Sequence, residues 1–491
     1  MKNKQIFPLY IHCIIYFVTA LLFSYYLDIG MTDDGLRHIS FAANQDIMKN
    51  WGEVFPHSLF SNYDPWYLWH KLIELILEVV PYDSIHIFIN TLSLFTLMLL
   101  LDKYLKSFVK YDFGSLSYII IFSIVYITAY RYWTVRPDLL SGLFVFSALL
   151  FKNRFLPVFI LTILYAPFYY LFFLYTGSVG LVYIVLKKWR ALSGIFVGSL
   201  VVGIGFLVQD YQSYLETVKY ILTDQSLRMG LEVGEGKPIF GILAHLNYFI
   251  LLPLFLGGGF ILIFWKYRFF STNTLATFLV ITSILWFNQY RYFHLFMPFI
   301  TIYLISVIVA INKKLFFYKI RKYLILLKRY TSFSQSKSLF YFIAIPYVIA
   351  VIAFKFSTTS LNKKTQEAKF FQNEYYTNKT ILLNNLNIDL YKALYYNPTI
   401  HFVPSCSIGW FDKTDLAVKD IYIRMQKNSG VTEEELSKLI SFVKADIYIH
   451  YLKNAKQKLN FDKLKQYGIV PYEIYNNRII FNIKKREKED G

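Results

Sequence analysis

Long apolar stretches separated by short charged segments recur along most of this chain and constrain its fold more than any other feature. Many of these stretches hold about 20 residues, the number that an α-helix needs to cross a hydrocarbon core of ~30 Å. The first one, residues 6–27, follows Lys2 and Lys4 and ends at Asp28. Charged residues make up 17% of the chain, against about 25% in globular domains. The sequence therefore predicts a polytopic α-helical membrane protein.

The charges between the stretches set the predicted orientation, because cytoplasmic loops are enriched in Lys and Arg. The clearest case is residues 313–337, where basic residues follow one another without an acid. This topology accounts for the net charge of +19 without a nucleic-acid partner, and we predict none. We expect about eleven spans, N-terminus inside and C-terminus outside. The expected spans are 6–27, 84–101, 117–130, 139–151, two short ones in 155–186 that turn near 175–178, then 191–208, 239–264, 273–287, 292–311 and 339–356.

The sequence of the last part of the chain is typical of a soluble domain. Residues 1–356 are expected to form the transmembrane domain, and residues 357–491 a small extracytoplasmic α/β domain. Two alternating runs about Asn476-Asn477 predict a β-hairpin. The other expected elements are strands at 380–384 and 445–451 and helices at 363–376, 388–396 and 433–444.

The segment from Asp28 to His38 holds the most suggestive acidic pair. Asp33 and Asp34 follow the first span directly, on the predicted external side, and ionisable residues at such a place are functional candidates. Arg37 and His38 are candidate helpers that bind substrate. The pair could instead only mark where the chain leaves the membrane. The next residues, 37–51, are expected to form an amphipathic helix lying at the membrane interface.

Further candidates for substrate binding lie at the external ends of later spans. Arg131, Arg136 and Arg291 could bind a phosphate, because guanidinium makes bidentate charge-assisted hydrogen bonds to it. Arg131 and Arg291 could also be anchors that reach toward lipid headgroups. Asp138, next to Arg136-Pro137, could equally be an acid favoured at a helix N-terminus.

A divalent metal ion is the only cofactor left open. His38, His57 and His70, with acids nearby, could ligate one, yet their spacing matches no closed metal motif. Cys13 and Cys406 form no CxxC pair, and no phosphate-binding loop is present.

Three short motifs resemble the GT-C superfamily of integral membrane glycosyltransferases. They are Thr32-Asp33-Asp34-Gly35, Tyr63-Asp-Pro-Trp66 and Val135-Arg-Pro-Asp138, together with the predicted external C-terminal domain. The likeness is greatest to bacterial transferases of the dolichyl-phosphate-mannose-protein mannosyltransferase and aminoarabinose transferase type. It implies a bacterial inner-membrane enzyme in which Asp33 is the base, and Asp34 holds a position often occupied by Glu. It also implies polyprenyl-phosphate sugar donors, which need no nucleotide site.

The chain departs from that family in two places. A Lys-Pro-Pro run common in the external loop is replaced by Asp64-Pro65-Trp66, which puts donor contacts there in doubt. The Trp-Trp-Asp motif of oligosaccharyltransferases is missing, which argues against transfer of a whole glycan to asparagine.

The resulting expectation is a glycosyltransferase of the external membrane face. It would move a sugar from a polyprenyl phosphate to a hydroxyl of a lipid, glycan or protein, with inversion implied by the resemblance. A carboxylate suits the base's task, and the C-terminal domain would select the acceptor. The alternatives are an O-antigen polymerase or ligase, which also uses external arginines, and a transporter or flippase of lipid-linked substrates. Transporters tend to carry paired halves with midplane charges, and neither is visible here. A purely structural membrane protein is the remaining alternative.

Overall fold

The chain is described in two compact units, each of which combines segments distant in sequence. The first unit comprises Met1–Met31, Val80–Gly205 and Val233–Thr359, and the second comprises Thr32–Val79, Phe206–Glu232 and Ser360–Gly491. The computed structural model describes residues 6–27, 35–44, 64–109, 116–128, 132, 134–223, 274–288, 290–311, 370–384, 394–403, 416–426, 430–452, 459–475 and 478–484. The predicted domain boundary at 356/357 lies outside these residues.

The described residues are mostly helical, with one small sheet, which confirms the outline of the predicted fold. The helices are α1 (Ile6–Leu27), α2 (Gly35–Ala43), α3 (Tyr67–Leu77), α4 (Ile85–Tyr104), α5 (Leu116–Thr128), α6 (Asp138–Leu150), α7 (Phe155–Tyr165), α8 (Phe172–Val185), α9 (Trp189–Thr223), α10 (Thr274–Asn288), α11 (Tyr290–Ile311), α12 (Leu416–Gln426), α13 (Glu433–Val443) and α14 (Phe461–Gln466). The strands are β1 (Thr380–Leu383), β2 (His401–Val403), β3 (Ile447–Tyr451), β4 (Ile469–Tyr475) and β5 (Arg478–Ile483).

Six of the apolar stretches are helices close to their expected bounds, namely α1, α4, α5, α6, α10 and α11. The expected spans 239–264 and 339–356 lie outside the described residues. Two helical stretches in the described part, Tyr82–Ser107 and Trp189–Val208, are long and apolar enough to cross a membrane. A buried core helix of a soluble protein can pass the same test, so the membrane assignment returns below as a proposal.

The turn expected near 175–178 was wrong. Residues 172–185 form the continuous helix α8, and the chain turns earlier, through a 3-10 helix at Ala166–Phe168. Pro167 stands at its start. Because Pro167 has no amide hydrogen to continue the i→i−4 hydrogen bonds of α7, the α-helix ends there. All of residues 175–178, where the turn was expected, lie inside α8.

The external loop was also expected to begin at Gln209, which is too early, because the helix continues beyond that residue. Helix α9 runs for 35 residues without interruption, to Thr223. From Phe206 to Thr223 there is neither Gly nor Pro, so nothing local stops the helix where the apolar character ends.

Buried tyrosines join the helices of the first unit through hydrogen bonds to backbone carbonyls. The Tyr104 hydroxyl on α4 donates to the carbonyl of Phe146 on α6 at 2.8 Å, and the Tyr183 hydroxyl on α8 donates to Ala148 at 2.6 Å. Tyr132 donates to the carbonyl of Leu295 at 3.0 Å. These bonds satisfy hydroxyls that would otherwise be costly to bury.

The first unit exposes large apolar side chains along α9. Phe196, Leu200 and Ile204 recur at a spacing of four residues and are 67%, 52% and 51% exposed. Leu156 and Leu164 on α7 are exposed to a similar degree, at 60% and 62%. Residues four apart lie on the same side of a helix, so α9 presents an apolar stripe outward.

A five-stranded mixed sheet in the order β2-β1-β3-β5-β4 forms the centre of the second unit. Strands β2, β1 and β3 are parallel, and β5 continues the sheet antiparallel to both β3 and β4. All residues of β3 are buried, as expected for a central strand covered on both faces. The predicted strands near 380, 447, 470 and 480 are thereby confirmed, while β2, α12 and α14 were not foreseen.

One face of this sheet packs against the segment that follows the first apolar stretch. Phe41 from α2 joins a cluster with Ile381, Ile449 and Tyr451 of the sheet, and Trp66 packs against it. The Asn44 amide donates to the carbonyl of Pro398 at 2.6 Å. Every residue from Gly35 to Ala42 is buried. The expectation of a helix lying at the membrane surface was therefore wrong, because α2 is a core helix of the second unit.

Helix α13 covers the other face and begins at a capping box. Thr432 accepts a hydrogen bond from the Glu435 amide at 3.2 Å, and Glu435 accepts one from the Thr432 amide at 2.9 Å. Arg424 on α12 holds the same carboxylate at 2.6 Å. The hydrogen bond from Arg424 and that from the Thr432 amide lower the pKa of Glu435 to about 2.

Candidate functional site

The acidic pair singled out in the sequence lies outside the described residues. This applies to Asp33 and Asp34, and also to Arg131. The backbone of Arg291 is part of α11, but its side chain is likewise outside the described part. The predicted roles of these four residues stay predictions.

Arg136 and Asp138 lie in the first unit, where α6 begins. The chain turns through Pro137, and the Leu139 amide donates to the carbonyl of Arg136 at 3.2 Å. Asp138 is the first residue of α6, where a negative charge is favoured by the exposed helix amides. This position agrees with the interpretation of Asp138 as an acid favoured at a helix N-terminus. The predicted role of Asp138 in substrate binding stays a prediction.

Arg37 and His38 lie in the second unit, in the first turn of α2. They are only 4% and 2% exposed. The Arg37 guanidinium lies over the ring of Trp66, 5.0 Å from the centroid. A cation over an indole face is stabilised by the ring quadrupole, so Trp66 supports a positive charge beside His38.

His38 belongs to a hydrogen-bonded network with Asp64 and His70. His70 Nδ1 lies 2.6 Å from Asp64 Oδ2, and His70 Nε2 lies 2.8 Å from His38 Nδ1. Asp64 is 7% exposed and His70 is fully buried. The network thus aligns three ionisable side chains in a protected interior, from two segments 32 residues apart in the chain.

Local geometry explains how Asp64 reaches this position. Its Oδ1 accepts a hydrogen bond from the Trp66 amide at 2.9 Å, and its carbonyl accepts one from Tyr67 at 3.2 Å. Asp side chains commonly bond the backbone two residues on in this way. The resulting turn through Pro65 leads into α3, and His70 follows one helical turn later.

The geometry of the network favours hydrogen bonding over metal ligation. Two nitrogens bound to one tetrahedral zinc lie about 3.3 Å apart, whereas His70 and His38 approach to 2.8 Å. Within the described residues, no group of three or more His, Cys, Asp or Glu side chains is arranged to hold a metal ion. His57, the other histidine considered for a metal, lies outside those residues.

A second buried polar cluster lies at the carboxyl ends of β1 and β3. The Tyr448 hydroxyl and the Asn384 amide are 2.8 Å and 3.0 Å from His450 Nδ1. Both can donate, so that nitrogen acts as an acceptor. Burial lowers the pKa of His450 to about 4. In open sheets, ligands bind where the strand order reverses, here between β1 and β3.

Comparison with known proteins gives no further assignment. No protein-family model matches the chain, and no curated protein matches it.

The sequence did not reveal the roles of Asp64 and His70. Asp64 was noted as a departure from the GT-C pattern, and His70 only as a metal candidate. Six residues separate them, so that the acid begins a turn and the histidine lies on the following helix. This spacing was the only feature of the local sequence that could have indicated a contact between the two side chains. Their link to His38 depends on how α2 packs against α3.

Proposed function

We propose that this protein is a membrane glycosyltransferase of GT-C type. It transfers a sugar from a polyprenyl-phosphate donor to a hydroxyl of a lipid, glycan or protein acceptor at the external face of a bacterial inner membrane. Asp33 takes the proton of the attacking hydroxyl, with Asp34 beside it in sequence. Arg136 and Arg291 serve the donor phosphate, with Arg131 as a further cation on the predicted external side.

The main support for this proposal is the set of chain segments that form the second unit. The sequence-derived topology places three long segments outside, about 28–70, 209–238 and 357–491. The second unit is built from Thr32–Val79, Phe206–Glu232 and Ser360–Gly491. Segments on opposite sides of a bilayer could not fold together, so this grouping supports a membrane topology with one external domain.

Two further observations support the proposal. The apolar stripe of Phe196, Leu200 and Ile204 on α9 suits contact with lipid, because large exposed apolar surfaces mark sites of protein or membrane contact. His38, which is hydrogen-bonded to the buried His70, follows Asp33 by only five positions, and an imidazole suits acid–base chemistry.

The test is a transfer assay with purified protein and a panel of polyprenyl-phosphate sugars, in which released polyprenyl phosphate is measured. Asp33→Asn is expected to lower the rate by at least about a thousandfold while the protein still inserts into membranes. Asp46→Asn, an acid of the same predicted loop, is the matched control and should retain activity. Full activity of Asp33→Asn would refute the role of the base. Substrate flux into vesicles without a covalent product would refute the transferase.

A further inference from the structure

One end of the first unit is formed where α6 and α8 end and where α10 begins. The hydrogen bond from Tyr183 to Ala148 joins α8 to α6 close to these ends. The Lys152 ammonium, just beyond α6, donates to the hydroxyl of the buried Thr274 at 2.7 Å and so fixes the start of α10 beside it. The three helices thereby bring Lys152 and the turn that follows α8 to the same end of the unit.

Positive charges gather at this end in two segments of the chain. They belong to Lys152 and Arg154 after α6, and to Lys187, Lys188 and Arg190 at the turn from α8 to α9. We call these five residues the basic cluster. Neither residues 150–156 nor residues 186–192 include an Asp or a Glu. Burial lowers the pKa of Lys152, and the charge of Lys188 lowers it further. The two ammonium groups therefore repel each other, and an anion bound between them would relieve that repulsion.

Helices α7 and α9 begin at the basic cluster and run side by side away from it. A Cβ atom at Gly194 would lie 2.7 Å from the Phe155 carbonyl oxygen, and one at Gly198 would lie 2.8 Å from the Thr162 Cβ atom. Small residues permit two helices to approach this closely. Because Gly194 meets Phe155 and Gly198 meets Thr162, both helices run in the same direction.

The exposed surface of this helix pair changes with distance from the basic cluster. Trp189 at the start of α9 is 61% exposed, and Phe155 at the start of α7 is 40% exposed. Further along follow the exposed Phe196 and Leu200 on α9 and Leu164 on α7. Trp is enriched at the level of lipid headgroups. Leu200 lies about 16 Å along the helix from Trp189, which is close to half of a hydrocarbon core of ~30 Å.

We propose that an anionic phospholipid binds along α7 and α9, with its phosphate at the basic cluster and its acyl chains on the apolar surface of the two helices. Basic residues at a membrane surface attract anionic headgroups, and the exposed apolar side chains suit acyl chains. This lipid site rests on the proposed function only for the membrane location of the first unit. The predicted topology places the basic cluster, and with it the lipid phosphate, on the cytoplasmic side.

Binding of defined lipids to the full-length protein tests the proposal. The protein is purified in a nonionic detergent, and native mass spectrometry measures its binding of phosphatidylglycerol and of phosphatidylcholine with the same acyl chains. Phosphatidylglycerol is expected to bind at least about tenfold more tightly, because only its headgroup carries a net negative charge. Equal binding of the two lipids would overturn the proposal.

Charge variants locate the site. Lys152→Gln combined with Lys188→Gln is expected to weaken phosphatidylglycerol binding about 25-fold, or about fivefold for each charge removed. Lys152→Arg combined with Lys188→Arg keeps both charges and should retain binding. Lys106→Gln is the matched control, because Lys106 lies on the same predicted side and pairs with Asp102 at 2.6 Å. Unchanged binding in the Gln pair, loss of binding in the Arg pair, or an equal loss in the control would each overturn the proposal.

Two soluble competitors separate a lipid site from a site for free anions. A short-chain phosphatidylglycerol is expected to compete weakly, since its acyl chains cover less of α7 and α9, and inorganic phosphate is expected not to compete. Full displacement by inorganic phosphate would identify a site for a free anion and refute the lipid site.

The outcomes for the lipid site and for the transferase are distinguishable. If the protein prefers phosphatidylglycerol as expected but releases no polyprenyl phosphate from any donor, the transferase fails and the lipid site stands. If transfer is observed and the two phospholipids bind equally, the lipid site alone is refuted.

Discussion

The two units of this protein differ in the surface of their longest helix and in the ionisable groups that they bury. The first unit turns large apolar side chains outward, as at Phe196 and Leu200 on α9. The second unit buries ionisable side chains, with Asp64, His70 and His38 aligned beneath a packed surface. Exposed apolar stripes are favourable next to lipid, and a buried ionisable network is tolerated where each group has a partner. The proposed membrane topology would require such a difference, with lipid around the first unit and water around the second.

The largest predicted effect tests whether α2 belongs to the second unit. Phe41→Ala removes an aromatic ring from the cluster shared with the sheet. It is expected to lower the free energy of unfolding of that unit by about 3–5 kcal/mol. Thermal unfolding and limited proteolysis of the detergent-solubilised protein measure this loss. Phe461→Ala, at a ring that is 41% exposed, should have a much smaller effect. Equal effects would mean that α2 is not part of this core.

An arginine introduced at an exposed apolar residue should have a large effect in the first unit and a small effect in the second. Leu200→Arg, near the middle of the apolar stretch of α9, is expected to oppose membrane insertion by about 2.5–3.5 kcal/mol. Ile474→Arg on β4 introduces the same charge at a residue that is 70% exposed, and should stay within about 0.5 kcal/mol. The fraction of protein integrated into membranes is measured. Normal integration of Leu200→Arg would contradict a lipid-facing α9.

Tight packing inside the first unit gives a third prediction. A Cβ atom at Gly142 on α6 would lie 2.0 Å from the Tyr132 hydroxyl oxygen, and 2.8 Å from the ring carbon that bears it. Tyr132 is buried and bonded to Leu295, so it cannot move away easily. Gly142→Ala is expected to destabilise the unit by about 1–3 kcal/mol. At Gly177 on α8 no atom lies within 4 Å, and Gly177→Ala should be neutral or stabilising. The stability of both variants is measured as the temperature at which the protein ceases to be monodisperse.

The smallest effect concerns acid stability of the second unit. Burial lowers the pKa of His450 from 6.5 to about 4. The folded state therefore holds this imidazole neutral, and its stability is complete above pH 6.5 and falls as the pH drops toward 4. Between pH 7 and 5.5 the loss is about 1 kcal/mol. His450→Gln should flatten this part of the curve, measured by chemical unfolding at several pH values. If the free energy of unfolding of His450→Gln falls with pH as steeply as that of the wild type, His450 is not the cause of the acid sensitivity.

The helices were largely predictable, because long apolar runs define α1, α6 and α10 to within one residue at each end. The errors had local causes. The turn within 155–186 was placed near 175–178, whereas Pro167 ends the first helix. The amphipathic pattern after residue 37 could not tell a membrane surface from a protein core.

The candidate site was less predictable. A strand of three residues such as β2 carries too few positions to show alternation. The network required His38 and His70, 32 residues apart, to be brought together by the packing of α2 against α3. No periodicity in the sequence encodes that contact. The acidic pair was visible only because charge is unusual next to an apolar run.

The sheet of the second unit ends in strands that are poorly suited to pairing with another chain. At one border, β2 spans only His401–Val403. At the other border, β4 contains Pro471, which has no amide hydrogen, and its register with β5 shifts between Pro471 and Glu473. Short or interrupted border strands are a known protection against edge-to-edge aggregation. Many copies could thus be present at high concentration without these described borders of their sheets joining into larger ones.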